Sequence, residues 1–433
     1  LYSDKEELQK TAVQYLRKQI TINAADTVSH LVGDESIIPR LIDILKKSNN
    51  PQIQFEVVWI LKTIASVEEN PNLIIDSFSR LSELLRSTCP KVCEMCIWTI
   101  GNFSENRSLI LKMNIIPRVL NILQHTDNVR IQKRITWAIS RATDGNPLPF
   151  PVNHRIICVY SNLLESSKIK EILKNVCKTL CNLTTSPPHD SELLHFNRNS
   201  VFKLIVDLDI CSKLFHSDDD EIPMIYQNVY AIRVIGNIVA GNGMHTQSIL
   251  DIKKVNVLSV FYSLLSNTNN VDIQISVCRT IANISAGTAA QTKAMIGLGF
   301  LPFMIRIVEN THDTWDDTVR YEAAWTLVNM VISCMHSQLH LFLEQDCISI
   351  IEKYIIEQKK NDVDDDIDIV DYSHQAIARL VMEEKTLMTE TTGIPISPNF
   401  AENLRASPFC NPVSVQRKHS RRSHIKPKRF TPY

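Results

Sequence analysis

Apolar residues recur along this chain at helical spacing, in short runs broken by Pro and Asn. Residues 5–20 (KEELQKTAVQYLRKQI) make one amphipathic pattern. Ile38-Pro39 opens another, IPRLIDILKKS, and Asn49-Asn50-Pro51 breaks it. A longer pattern, IQFEVVWILKTIAS, follows. The plan then repeats twice. LSELLRST, a break at Cys89-Pro90 and VCEMCIWTIGNFS form one copy; IIPRVLNILQH, a break at 126–128 and VRIQKRITWAISRAT form the next. In the first of these copies Val92, Cys96, Ile100 and Phe103 share the stripe that a core needs. Trp98 and Asn102 stand one helical turn apart on a different stripe. A single Trp in such a place reads as core; recurrence changes that reading.

Trp59, Trp98 and Trp137 are spaced by 39 residues. Later units keep the plan with Lys178 and Asn182, Arg233 and Asn237, Arg279 and Asn283, and Trp325 and Asn329, at steps of 41, 55, 46 and 46. The long step carries a polar insertion at 187–221, with the acidic run HSDDDE, expected as a surface loop. A helical period near 40 residues predicts an all-α, superhelical solenoid of about nine repeats over residues 1–385. QAIARLVMEE is its expected last helix. Beyond it, Pro, Ser, Thr and Asn accumulate, which predicts a disordered tail at 386–433.

Charge adds one feature. The formal net charge of −1 conceals a cluster at 417–429 with seven Lys/Arg and no acid. Eleven Cys without a regular spacing suit a reducing compartment rather than a disulfide framework. No secretory leader and no apolar run of about 18 residues points to a membrane. Catalytic and metal motifs are missing as well. Cys93 and Cys96 form a lone CxxC inside a repeat helix, Cys177 and Cys181 lie one turn apart, and all four read as core. The 13 His form no HExxH, and GNIVAGNG reads as a helix end and turn rather than a phosphate loop. The expectation is a binding protein without cofactor or enzymatic site.

The phrases QFEVVWILKTIAS, VCEMCIWTIGN, AIRVIGNIVAGNGMHTQSIL, IANISAGTAAQ and YEAAWTLVN resemble the third helices of armadillo repeats, and those of importin-α in particular. ELQKTAVQYLRK is similar to that family's first armadillo helix. The resemblance implies a right-handed armadillo superhelix. It also implies an adaptor that binds the nuclear-localisation signals of cargo proteins along its concave face, joins importin-β, moves between cytoplasm and nucleus, and is recycled by an export factor.

Elementary chemistry suits that role. Third helices stack roughly 8–10 Å apart and an extended peptide rises about 3.3 Å per residue, so each repeat meets about three residues. A Lys or Arg stem can lie along an indole, gaining roughly 0.5–2 kcal/mol. An Asn one turn away can clamp backbone, since its amide donates and accepts.

Carried over by residue, the resemblance implies a major groove of Trp59, Trp98, Asn102, Asn106 and Trp137. Its minor groove would be Asn237, Asn283, Glu322, Trp325 and Asn329. Departures are several. The clamp Asn is Thr63 in one repeat and Arg141 in another, and the acid of the main Lys pocket is Asn106, with Glu105 adjoining. Lys178 and Arg279 stand where the family has Trp, whereas Arg233 matches it. Arg141, Lys178 and Arg279 bring positive charge to a surface meant for positive peptides. The expectation is weak basic-peptide binding in the major groove and a largely disabled minor groove. The alternative is an armadillo scaffold that binds another partner, for instance an acidic segment. The basic tail reads as a solvated run, as a segment that folds into the Trp grooves, or as a phosphate-binding element for nucleic acid.

Overall fold

The computed structural model describes residues 1–67, 71–103, 106–144, 148–185, 205, 210–215, 225, 229–241, 243–253, 255–309, 315–360 and 367–392. Nearly all of the 187–221 insertion, and the tail from 393 with its basic cluster, lie outside these residues. The described residues are helical, with no strand among them. The chain divides into two compact units, residues 1–183 with 187–210, and residues 184–186 with 211–433.

The first unit repeats a second-helix, third-helix plan. It begins with α1 (Glu6–Ile22), α2 (Ala24–Gly33), α3 (Ile37–Lys47) and α4 (Pro51–Val67), then α5 (Phe78–Leu84) and α6 (Pro90–Asn102). α7 (Arg107–Lys112), α8 (Ile115–His125), α9 (Val129–Ala142), α10 (Phe150–Ser166) and α11 (Lys170–Thr184) complete it. The helices α1, α4, α6 and α9 pack in that order, with α4, α6 and α9 backed by the second helices α3, α5 and α8. α11 joins α9 through Lys133–Glu171 (2.6 Å) and an Asn175 side-chain bond to Thr136 (3.3 Å). The breaks in the sequence act as helix starts. Cys89 is extended before Pro90, which fills the first turn of α6 where no donor is needed. Asn128 caps α9 by accepting from the amides of Arg130 and Ile131.

An Arg recurs in the second helices and ties repeat to repeat. Arg80 on α5 donates to the carbonyls of Leu45 (3.2 Å) and Ser48 (3.2 Å) at the end of α3. Arg118 on α8 donates to the Ser82 hydroxyl on α5 (2.7 Å). The Arg80 guanidinium satisfies carbonyls that the end of α3 leaves open, and that of Arg118 holds a side chain of the preceding second helix.

The second unit follows the same plan. Its helices are α12 (Val229–Val239), α13 (Gly243–Leu250), α14 (Val257–Asn267), α15 (Val271–Ser285), α16 (Ala289–Gly297), α17 (Phe300–Glu309), α18 (Asp317–Ser333), α19 (Leu339–Glu344), α20 (Cys347–Lys360) and α21 (Ile367–Thr392). Third helices α12, α15, α18 and α21 pack in succession. Arg379 of α21 donates to the carbonyls of Val331 (2.7 Å), Ile332 and Cys334 (2.8 Å), closing the end of α18. α21 runs to Thr392, past the boundary expected at 385. The stretch EEKTLMTETT has no helix breaker, and the first Gly is Gly393.

The core stripe read from the sequence is closed: Val92, Cys96, Ile100 and Phe103 are all buried. Phe103 meets Phe78 edge to face at 5.1 Å. Cys93, Cys96, Cys177 and Cys181 are buried too. Burial pushes the Cys93 thiol up to about 11 and Cys177 to about 12, so both stay neutral. Phe103→Ala should cost about 3–5 kcal/mol in urea unfolding. A loss below about 1 kcal/mol would contradict the assignment of this stripe to the core.

Candidate functional site

Trp59 on α4, Trp98 on α6 and Trp137 on α9 are half-buried, one on each of three consecutive third helices. Gly101 sets how closely the last two rungs approach. A Cβ there would collide with the Trp137 indole, so this position of α6 has to be Gly for the ring to lie across it.

These indoles are already in contact with cations of the same chain. The Lys62 ammonium lies 4.3 Å from the centroid of Trp98 and 5.5 Å from that of Trp59. Arg134 stacks on Trp98 at 3.6 Å, so Trp98 is approached from the helix before it and from the helix after it. Arg141 lies 5.7 Å from the Trp137 centroid, and Arg17 lies 5.9 Å from that of Trp59 while pairing with Glu56. Burial, and then the charge of Arg134, hold the Lys62 ammonium below the usual lysine range. Lys178 pairs with Asp144 at 3.5 Å. Lys62 and Arg134 were not among the expected site residues. They sit three positions from a ladder Trp, at Trp59 + 3 and Trp137 − 3, a spacing that was readable on a helical wheel.

The ladder Asn residues also have work inside the fold. Asn102 donates to the Ser66 hydroxyl on α4 (3.1 Å). Asn182 donates to the Ser140 carbonyl on α9 (3.1 Å), Asn237 to the Thr184 hydroxyl (3.0 Å), and Asn329 to the Ala282 carbonyl on α15 (3.1 Å). The bonds of Asn102, Asn182 and Asn329 reach back toward the preceding repeat. Asn102 remains half-buried and can still offer its amide oxygen to a peptide. Asn106 is occupied differently. Its side chain caps α7, accepting from the Leu109 amide (3.4 Å) and the Ser108 hydroxyl (3.1 Å). Thr63 turns to the Trp59 carbonyl of its own helix (2.9 Å).

The five residues expected in a minor groove share the second unit, but they are enclosed. Trp325, Asn237, Asn329 and Glu322 are fully buried and Asn283 nearly so. Tyr372 of α21 lies over Trp325 at 5.5 Å, with Tyr321 edge-on at 6.4 Å. Arg279 pairs with Glu322 at 2.6 Å. Burial raises the Glu322 carboxyl to about 7, against the opposing pull of Arg279. Ring faces and charge in this ladder are taken up by the protein itself.

Among the described residues no cluster of His, Cys, Asp and Glu could hold a metal, and no helix is long and apolar enough to cross a membrane. The sequence profile of the Armadillo/beta-catenin-like repeat matches residues 103–144. The chain is 27% identical over 310 residues to importin subunit alpha-1a of Oryza sativa subsp. japonica, covering 70% of this chain and 55% of that protein. It is 27% identical over 354 residues to importin subunit alpha-8 of Arabidopsis thaliana, covering 80% and 74%. The chain is thus similar to importin-α subunits, at 27% identity, and carries an armadillo repeat. It spans little more than half the length of the rice subunit. The fold is also that of an engineered protein (TM-score 0.68, 22% identity, 95% and 96% of the two chains). A chain from a study of the cadherin–beta-catenin interaction shares it as well (TM-score 0.62, 12% identity, 88% and 67%).

Two outcomes follow from the geometry. Gly101→Ala should displace the Trp137 indole and lower stability by about 1–3 kcal/mol in denaturant unfolding, although Ala favours helix; a stabilised variant would contradict the packing. The Glu322 carboxyl has a native value of about 7 against an ordinary 4.5. Between those pH values the native state holds a proton that the unfolded chain releases, so this group's stabilisation falls as pH rises and then levels off. The stability of the wild type relative to Glu322→Gln should therefore decline between pH 5 and 8. A rise over that range would contradict the burial argument.

Proposed function

We propose that this importin-α relative is a nuclear-import adaptor that holds an extended cargo peptide on the Trp59, Trp98 and Trp137 ladder. One observation carries the reading: three indoles with partly open faces occupy consecutive third helices of one unit, with the Asn102 amide beside the middle rung. Backbone held by Asn102 and side-chain stems laid along the rings suit an extended chain of about three residues per rung. Cargo proteins with basic nuclear-localisation signals are the proposed partners. Importin-β is the second, since the relatives are named as alpha subunits of importin. The adaptor would pass between cytoplasm and nucleus with its cargo, and an export factor would return it. Asn237, Asn283, Glu322, Trp325 and Asn329 add no second groove in this reading.

Binding of basic peptides is expected to be weak, because each cargo cation has to replace one that the protein already supplies. The internal cations favour a second reading, an armadillo scaffold whose groove accepts a different peptide. Fluorescence anisotropy with a labelled monopartite basic peptide tests the first. Trp98→Ala should lower its affinity at least about tenfold, and Asn102→Ala should weaken it more than Asn283→Ala. Equal binding by wild type and Trp98→Ala would remove the ladder from cargo recognition. Capture of importin-β by the full-length protein tests the adaptor role.

A further inference from the structure

The ladder of the first unit is lined with positive charge at the places where a peptide side chain would enter. Lys62 and Arg134 both lie within 4.5 Å of the Trp98 centroid, at 4.3 and 3.6 Å. Among the described residues no carboxylate lies within ion-pair distance of Lys62, and Glu94 approaches Arg134 only to 3.7 Å. Two cations are thus held around one ring on a half-buried surface, and only Arg134 of the two has a carboxylate, Glu94, within ion-pair distance. Burial first, and then the charge of Arg134, depress the Lys62 ammonium. An incoming Lys or Arg would add a third like charge to a ring already flanked by two. An incoming carboxylate or phosphate would relieve the repulsion and leave both ring contacts in place. The same sign continues along the face. Arg141 stands exposed at the Trp137 rung, and Lys178 follows, paired only at 3.5 Å with the exposed Asp144.

We propose that this groove takes an extended acidic peptide, with one acidic side chain between Lys62 and Arg134 at the Trp98 rung and others at the Arg141 and Lys178 rungs. Helices roughly 8–10 Å apart and a peptide rise of about 3.3 Å per residue set the spacing, one acidic residue in three. This rests on the second reading above, a scaffold whose ladder accepts a different extended peptide, and names the charge that this peptide carries; it is the alternative to basic cargo in the same groove.

The test uses the full chain and three labelled ten-residue probes in low salt. One carries Glu at every third position, one carries the same number of Glu in a single run, and one replaces Glu by Lys at every third position. The spaced Glu probe should bind at least tenfold tighter than the Lys probe and several-fold tighter than the clustered one. Lys62→Glu should lower its affinity at least tenfold and raise that of the Lys probe. Lys62→Gln, which removes charge without reversing it, should lower it several-fold, and retained thermal unfolding of either variant shows that the fold is intact. Trp98→Ala should weaken the spaced Glu probe. A Glu probe that binds no tighter than the Lys probe, or one indifferent to Lys62→Gln, overturns the proposal. If the Lys probe is then the tighter one and is lost in Trp98→Ala, the import reading stands and only the acidic assignment falls. If no probe responds to Trp98→Ala, both fall.

Discussion

No repeat of this chain can bury its apolar stripe alone, and the rest of the structure answers to that constraint. Each third helix closes its core face against its own second helix and its flanks against the third helices before and after it. Hydrogen bonds between repeats run in the same direction, from ladder Asn to the preceding repeat and from second-helix Arg to the preceding second helix. The stacking leaves one further stripe on each third helix that the core does not use. Function in such a protein is a property of that stripe.

What the stripe can bind is decided by electrostatics more than by shape. A ring face already in contact with a cation has realised its cation–π attraction, roughly 0.5–2 kcal/mol, so an exchange with a ligand cation yields little. In the first unit the rings stay half-open and the cations stay partly solvated, and this surface can still respond to a ligand. In the second unit the ladder has turned inward. Arg279 pairs with the buried Glu322, one helical turn from the buried Trp325, and removal of Arg279 would leave the Glu322 charge uncompensated. Opening that ladder for a ligand means breaking a buried pair and lifting Tyr372.

The fold was legible from the sequence because its signal is periodic. The buried stripe through Val92, Cys96, Ile100 and Phe103, the breaks at Pro90 and Asn128, and the recurrence of Trp every 39 residues all state a local geometry that the structure repeats. Candidate binding residues were legible only as positions. Which face of Trp325 is covered depends on Tyr372, which lies in the next repeat and carries no local signal. The roles of Asn102 and Asn106 likewise depend on Ser66 and on the start of α7. Lys62 and Arg134 were within reach of sequence reasoning, since helical spacing from Trp59 and Trp137 puts them on the ladder face. A reading confined to the Trp and Asn positions passes over them, and with them the sign of the groove.

The most direct measurement is fluorine NMR of the full chain with its five Trp labelled as 5-fluorotryptophan, assigned by single Trp→Phe replacements and titrated with the spaced Glu peptide. The resonances of Trp59, Trp98 and Trp137 should shift together with one saturation curve while that of Trp325 stays in place. A shift of Trp325 with Trp98 unmoved would contradict it.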